Sequence, residues 1–207
     1  VSPMSITSLL RRLRAATGGV AAVEMAIAAP FLFMLLLGGT DIVRYATTAS
    51  KIDRLSGQLA DLLARTDRLV DDPNCMQSYC TGMIFLAARE IALPVDIAGG
   101  GQVILTSLAD PVDAPPRIAW QRRAPDFALE VESDFGSEGE APNLPGGFTL
   151  DEGSTAVAVE VVYEFQPFPL SGDLLFSTPA LTTRIARSAL YTPRFTALDA
   201  LVPADGG

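Results

Sequence analysis

From Val20 to Thr40 the chain runs for twenty-one residues with one charged side chain, Glu24, and from Met25 to Leu37 the run is apolar except where Pro30 interrupts it. At about 1.5 Å rise per residue such a segment is roughly 31 Å long as a helix, close to the ~30 Å hydrocarbon thickness of a bilayer. The feature predicts a transmembrane helix over 20–40. Arg11, Arg12 and Arg14 precede it and Asp41 follows it at once. The positive-inside bias then sets the N-terminal 1–19 in the cytoplasm as a basic leader and the remainder outside it. A cleavable secretory signal is the rival reading, but its apolar region is typically only about 7–15 residues long, and a retained helix is preferred.

The 207 residues leave room for one ordinary domain beyond the anchor. The net charge is −9. Because the three leader arginines are positive, the rest of the chain is more acidic still, which argues against nucleic-acid binding. Histidine is absent and Lys51 is the only lysine. That removes the commonest general base, the Ser-His and Cys-His nucleophile arrangements and most transition-metal sites. The expectation is a protein that is not an enzyme and carries no cofactor or metal.

Glu24 is the anomaly in the anchor, since a carboxylate inside a span costs about 2.5–3.5 kcal/mol at the bilayer centre unless it finds a partner. It lies only four residues, about 6 Å, past Val20. One reading is that it snorkels to the headgroups. The other begins from Gly19, which is followed by four small apolar residues and then Glu24. This spacing resembles the processing site of type IV prepilins. The longer string from Gly18 to Tyr45, with Gly19, Glu24, an early Pro30 and the Gly38, Asp41, Arg44 exit, resembles the TadE/TadF family of minor pseudopilins of tight-adherence (Flp) pili. Met25 and the length of the chain depart from the small major pilins.

The resemblance implies that a prepilin peptidase cuts after Gly19, making Val20 the first residue of the mature chain and Glu24 its fifth. Cleavage would create an α-ammonium on Val20, and a carboxylate one helical turn away lies on the same helix face, where the two charges neutralise each other. It further implies partners in the inner membrane, the peptidase, other pilin or pseudopilin subunits and the assembly machinery, with the C-terminal body periplasmic. The alternative is a signal-anchored extracytoplasmic binding domain that is never cut after Gly19.

Beyond the span, Ile42, Tyr45, Ala49, Ile52, Ser56, Leu59, Leu63, Thr66 and Val70 recur at steps of three and four, with Leu55, Leu62 and Leu69 beside them. That stripe predicts an extracytoplasmic continuation of the helix over 41–72, ended by Asp71-Asp72-Pro73-Asn74, with its apolar side on the domain's own core or on a coiled-coil partner. Cys75 and Cys80 are the only cysteines, in a polar loop. Without histidine or a second pair, a local disulfide is preferred to zinc or to free thiols.

Met83 to Leu93 is a candidate short helix. Segments 102–108, 117–122, 155–163 and 181–190 change to a strand pattern rich in β-branched residues. Between them the acidic, Gly- and Pro-rich stretch near 133–147 reads as a flexible loop. Its Asp134-Phe135-Gly136 triplet matches a kinase metal-binding sequence only by chance, since the companion motifs are missing. Tyr163 to Phe168 looks like an aromatic-proline strand ending common in TadE-like proteins, although proline terminates any strand. Asp151, Glu152 and Asp173 lack the spacing of a calcium loop. The fold class expected is α+β: a long N-terminal transmembrane and extended helix, then an extracytoplasmic antiparallel β-sheet domain over 73–207, pilin-like in plan.

Overall fold

The structure, a computed structural model, describes residues 18–167 and 182–204. Arg11, Arg12, Arg14, Phe168, Asp173 and Leu181, which figure in the sequence reading, lie outside the described residues. These fall into two compact units, one holding the chain up to Arg44 and the other running from Tyr45 to Gln166 and again from Thr182. One helix, α1, Gly18–Ala64, contributes to both.

In the first unit, α1 exposes nearly all its large apolar side chains, among them Val20, Val23, Met25, Ile27, Phe31, Leu32, Phe33, Leu35 and Leu36. Its most apolar 18-residue window has a mean hydropathy of 2.3. Such a surface is unstable in water and stable in hydrocarbon, because each buried methylene is worth about 0.8 kcal/mol. By length and composition the helix can cross a membrane once. Pro30 sits inside it. Past the apolar run, the Thr40 hydroxyl donates to the Leu36 carbonyl at 2.8 Å, and Arg44 pairs with Asp41 at 3.0 Å. Both are local bonds of a helix surface.

In the second unit, α1 becomes a core helix. Ile52, Leu55, Leu59 and Leu63 are fully buried, with Ser56, Ala60 and Ala64 on the same side. This is the expected apolar stripe, and it packs on its own domain. The helix stops at Ala64, eight residues short of the sequence expectation. The Thr66 hydroxyl and the Thr66 amide both bond the Leu63 carbonyl, at 2.7 and 3.1 Å, and the Arg194 amide takes the Ala64 carbonyl at 2.9 Å. With these last carbonyls satisfied, nothing drives a further turn. Leu69 is still buried, but it arrives from a loop, and Val70–Asp71 form a short strand, β1, parallel to β6, Val202–Pro203.

Helix α2, Thr81–Ala92, and the single turn α3, Ile97–Gly100, follow. Asp96 caps α3, its side chain accepting from the Gly99 amide at 3.0 Å. Four antiparallel strands then build one sheet: β2, Gly101–Ala109; β3, Arg117–Arg123; β4, Thr155–Phe165; and β5, Thr183–Tyr191. Their spatial order is β3-β2-β4-β5. All four strands expected from sequence are present, within about two residues at their ends. The class is therefore α+β.

Alternation along the strands divides the core in two. On one face Val103, Leu105, Val157, Val159, Val161 and Ile185 pack with α1 and α2 side chains such as Leu55, Leu59, Ile84 and Phe85. On the other face Leu108, Ile118, Ala156 and Ala158 gather around Phe135. Strand β2 is buried along its whole length because both of its faces are covered. Strand β4 ends at Phe165, which is buried and meets Tyr45 edge-on at 5.5 Å between ring centroids.

The segment near 133–147 has no strand and, apart from the turn Pro145–Gly147, no helix, and part of it lies against the sheet. Phe135 is only 2% exposed, and Leu144 packs against its cluster. The Ile118 amide bonds the Glu140 carbonyl and the Gly139 amide bonds the Ile118 carbonyl, both at 2.9 Å, so the segment also closes the outer edge of β3. One buried aromatic and a few backbone bonds hold a stretch whose average composition is that of a linker. Asp134-Phe135-Gly136 is thus a packing anchor.

Candidate processing and assembly segment

Gly19 and Val20 lie in the first turn of α1 and Glu24 lies one turn further on. All three are exposed. Nothing stands within 4 Å of where a Gly19 Cβ would be, so the backbone there is open to close approach. The four-residue step from Val20 to Glu24 is about 6 Å along the axis on one helix face. Further along α1 the next cation is Arg44, about 30 Å away and engaged with Asp41. Among the described residues of α1, Glu24 therefore has no cation within a turn of it, and a charge created at Val20 would lie one turn away on the same face.

The cysteines lie elsewhere, in the second unit. The Cys75 and Cys80 sulfurs are at bonding distance, 2.08 Å. Cys80 is buried and is the residue before α2, where it makes no side-chain cap. The loop that they close rests against the helix start: the Gly82 amide donates to the Asp72 carbonyl at 3.1 Å, and Asp72 Oδ1 accepts from the Asn74 amide at 2.8 Å. Arg68 stacks over Tyr79 at 4.7 Å. This arrangement shapes a loop.

Among the described residues no three His, Cys, Asp or Glu side chains are grouped as a metal site would need. Asp151 and Glu152 are exposed loop residues. Sequence reasoning missed an acidic side chain that the sheet buries, Glu160 in β4, which is 4% exposed. It accepts hydrogen bonds from the Ser133 hydroxyl and, at 2.8 Å, from the Asp134 amide. Burial pushes its carboxyl above the ordinary glutamate range, and the nearby Asp134 adds to that. The Ser133 hydroxyl, the Asp134 amide and Arg123 pull it the other way without reversing the direction. Strand alternation sets Glu160 on the face opposite the helices, which reads as solvent until the 133–147 segment is known to cover it.

No curated protein and no solved structure matches the chain. The model of the family described as TadE-like protein matches residues 19–60. The match begins at the glycine before Val20, includes Glu24, runs through the apolar span and ends four residues before α1 does. It includes none of the sheet. From Gly19 to Ala60 the helix of this chain is similar to that of TadE-like proteins.

Proposed function

We propose that this chain is a minor pseudopilin, anchored in the inner membrane by α1, that supports assembly of a tight-adherence pilus after a prepilin peptidase hydrolyses the Gly19–Val20 bond. The observation that carries the reading is that the TadE-like match starts at Gly19, with Glu24 one helical turn beyond the bond. Hydrolysis consumes one water and leaves a carboxylate on Gly19 and an ammonium on Val20. The new ammonium and Glu24 then lie on one helix face, either pairing with each other or exchanging partners with an adjacent subunit. A mispaired register leaves a carboxylate uncompensated in apolar surroundings, which costs several kcal/mol, so the pair selects axial alignment. The function rests on helix packing and not on catalysis. In this topology the leader is cytoplasmic and the sheet domain periplasmic.

Intact-mass measurement on protein extracted from membranes tests the processing step. A mature chain beginning at Val20 is expected. A chain that keeps Gly19 and the residues before it refutes the cut and leaves a simple anchored extracytoplasmic domain. In cells, Glu24→Ala is expected to be cleaved yet to assemble poorly; normal pili from that variant would remove Glu24 from the assembly step.

A further inference from the structure

The two edges of the sheet are finished differently. On the outer side of β3 the 133–147 segment takes up free backbone groups: the Ile118 amide and carbonyl bond Glu140 and Gly139, and the Gln121 amide donates to Glu138 Oε2 at 3.3 Å. Strand β5 is the opposite edge. Each of its residues is in register with β4, from Thr183 opposite Phe165 to Tyr191 opposite Val157, with no shift along the way. Among the described residues, no backbone hydrogen bond reaches β5 from any segment but β4. Every second residue of an edge strand turns its N–H and C=O away from the sheet, so β5 presents a regular row of unpaired backbone groups. Neither a proline nor a bulge interrupts that row.

The edge also carries positive charge. Arg184 and Arg187 are exposed and lie three residues apart, which sets them on opposite faces of the strand. Arg184 stands opposite Glu164 of β4 with no ion pair between them. Arg187 donates to the Ala186 carbonyl at 2.7 Å, which lays its guanidinium along the strand itself, and its other neighbour, Asp53, is 3.9 Å away. Both cations therefore remain at the edge with most of their donors unspent.

We propose that the outer edge of β5 accepts an added strand from a protein partner, an extended segment with two acidic residues three positions apart. Main-chain hydrogen bonds hold such a segment, and its spacing brings one carboxylate to Arg184 on one face and the other to Arg187 on the opposite face. A second copy of this chain fits the edge less well. Pairing β5 with itself gathers the guanidiniums of both copies along one seam, where like charges oppose association. The inference concerns the sheet domain alone and does not depend on the pilus reading.

The test titrates two capped peptides, each about ten residues long and rich in Thr and Val, into the full chain in detergent. One carries glutamates three positions apart, and its twin carries lysines in their place. Anisotropy of the labelled peptide reads binding, and amide hydrogen exchange reads where it occurs. The glutamate peptide is expected to bind and to slow exchange at alternate amides of β5. The lysine twin on the native chain, and the glutamate peptide on the Arg184→Ser, Arg187→Ser double variant, are expected to bind about tenfold more weakly. No binding of the glutamate peptide, equal binding of the two peptides, or protection away from β5 overturns the proposal. Protection of β5 that rises with protein concentration in the absence of peptide also overturns it, because the edge then belongs to a second copy. The comparison of the two peptides uses the native chain, so it decides the matter even if the double variant does not fold.

Discussion

Two donors converge on one buried backbone carbonyl, and their removal one at a time and together gives a sharp test of how the C-terminal tail is held. The Leu198 carbonyl accepts from Ser107 Oγ at 2.6 Å and from Trp120 Nε1 at 2.7 Å, and Leu198 itself is 2% exposed. The same tail gives its Arg194 amide to Ala64 and its Val202 amide to Leu69, so it straps the end of α1 to the sheet. Ser107→Ala removes one bond while the carbonyl keeps the other, for a cost of about 0.5–1.5 kcal/mol. Trp120→Phe loses the other bond plus some apolar contact, and the contact loss cancels in a double-mutant cycle. The double variant leaves the carbonyl dry and unpaired, which adds a desolvation penalty of about 1–3 kcal/mol absent from either single change. The double variant should therefore be less stable than the sum of the singles by about 1–2 kcal/mol. Denaturant unfolding followed by circular dichroism is the assay, because Trp120 is the only tryptophan and fluorescence is lost with it. Additivity within about 0.5 kcal/mol refutes the reasoning, since it means that water reaches Leu198 or that its carbonyl never depended on the two donors.

Leu59→Ala, at a fully buried position of α1, is expected to cost about 2–5 kcal/mol in the same unfolding assay, whereas Ile42→Ala, on the exposed part of the stripe, should leave the sheet domain's stability unchanged. Gly82→Ala would set a Cβ 2.7 Å from the Cys75 carbonyl oxygen, and since that oxygen belongs to backbone the loop must move; a loss of about 1–3 kcal/mol is expected, and native-like stability would refute the close approach. Glu160 has a folded-state pKa above the ordinary glutamate value, so its stabilising contribution is present below that value and is lost as pH rises through the folded one. Stability measured across that window should fall with rising pH in the native chain, and the slope should flatten in Glu160→Gln.

The elements of this protein were legible wherever a pattern repeated locally. A twenty-one-residue apolar run can only be a spanning helix or a buried one, and steps of three and four in Ile52, Leu55, Leu59 and Leu63 marked the core face before any neighbour was known. Strands appeared for the same reason: nine or more residues such as those of β4 alternate between two faces whatever their partners. The Gly19, Val20, Glu24 segment was equally legible, because its spacing along one helix needs no tertiary contact to be meaningful.

Position in space was decided by contacts between residues far apart in the chain. Val70 fits the helical stripe, yet the Arg194 amide satisfies the last helical carbonyl and Val202 draws the next segment into a strand pair, so α1 ends at Ala64. The 133–147 stretch has the composition of a linker, but Phe135 finds Ile118 and Ala158 beneath it, and that single burial turns the segment into a cover and Glu160 into a buried acid. Periodicity and composition describe what each segment prefers by itself. Which carbonyl is left unpaired, and which face is left uncovered, depends on partners tens of residues away, and only the assembled fold supplies those.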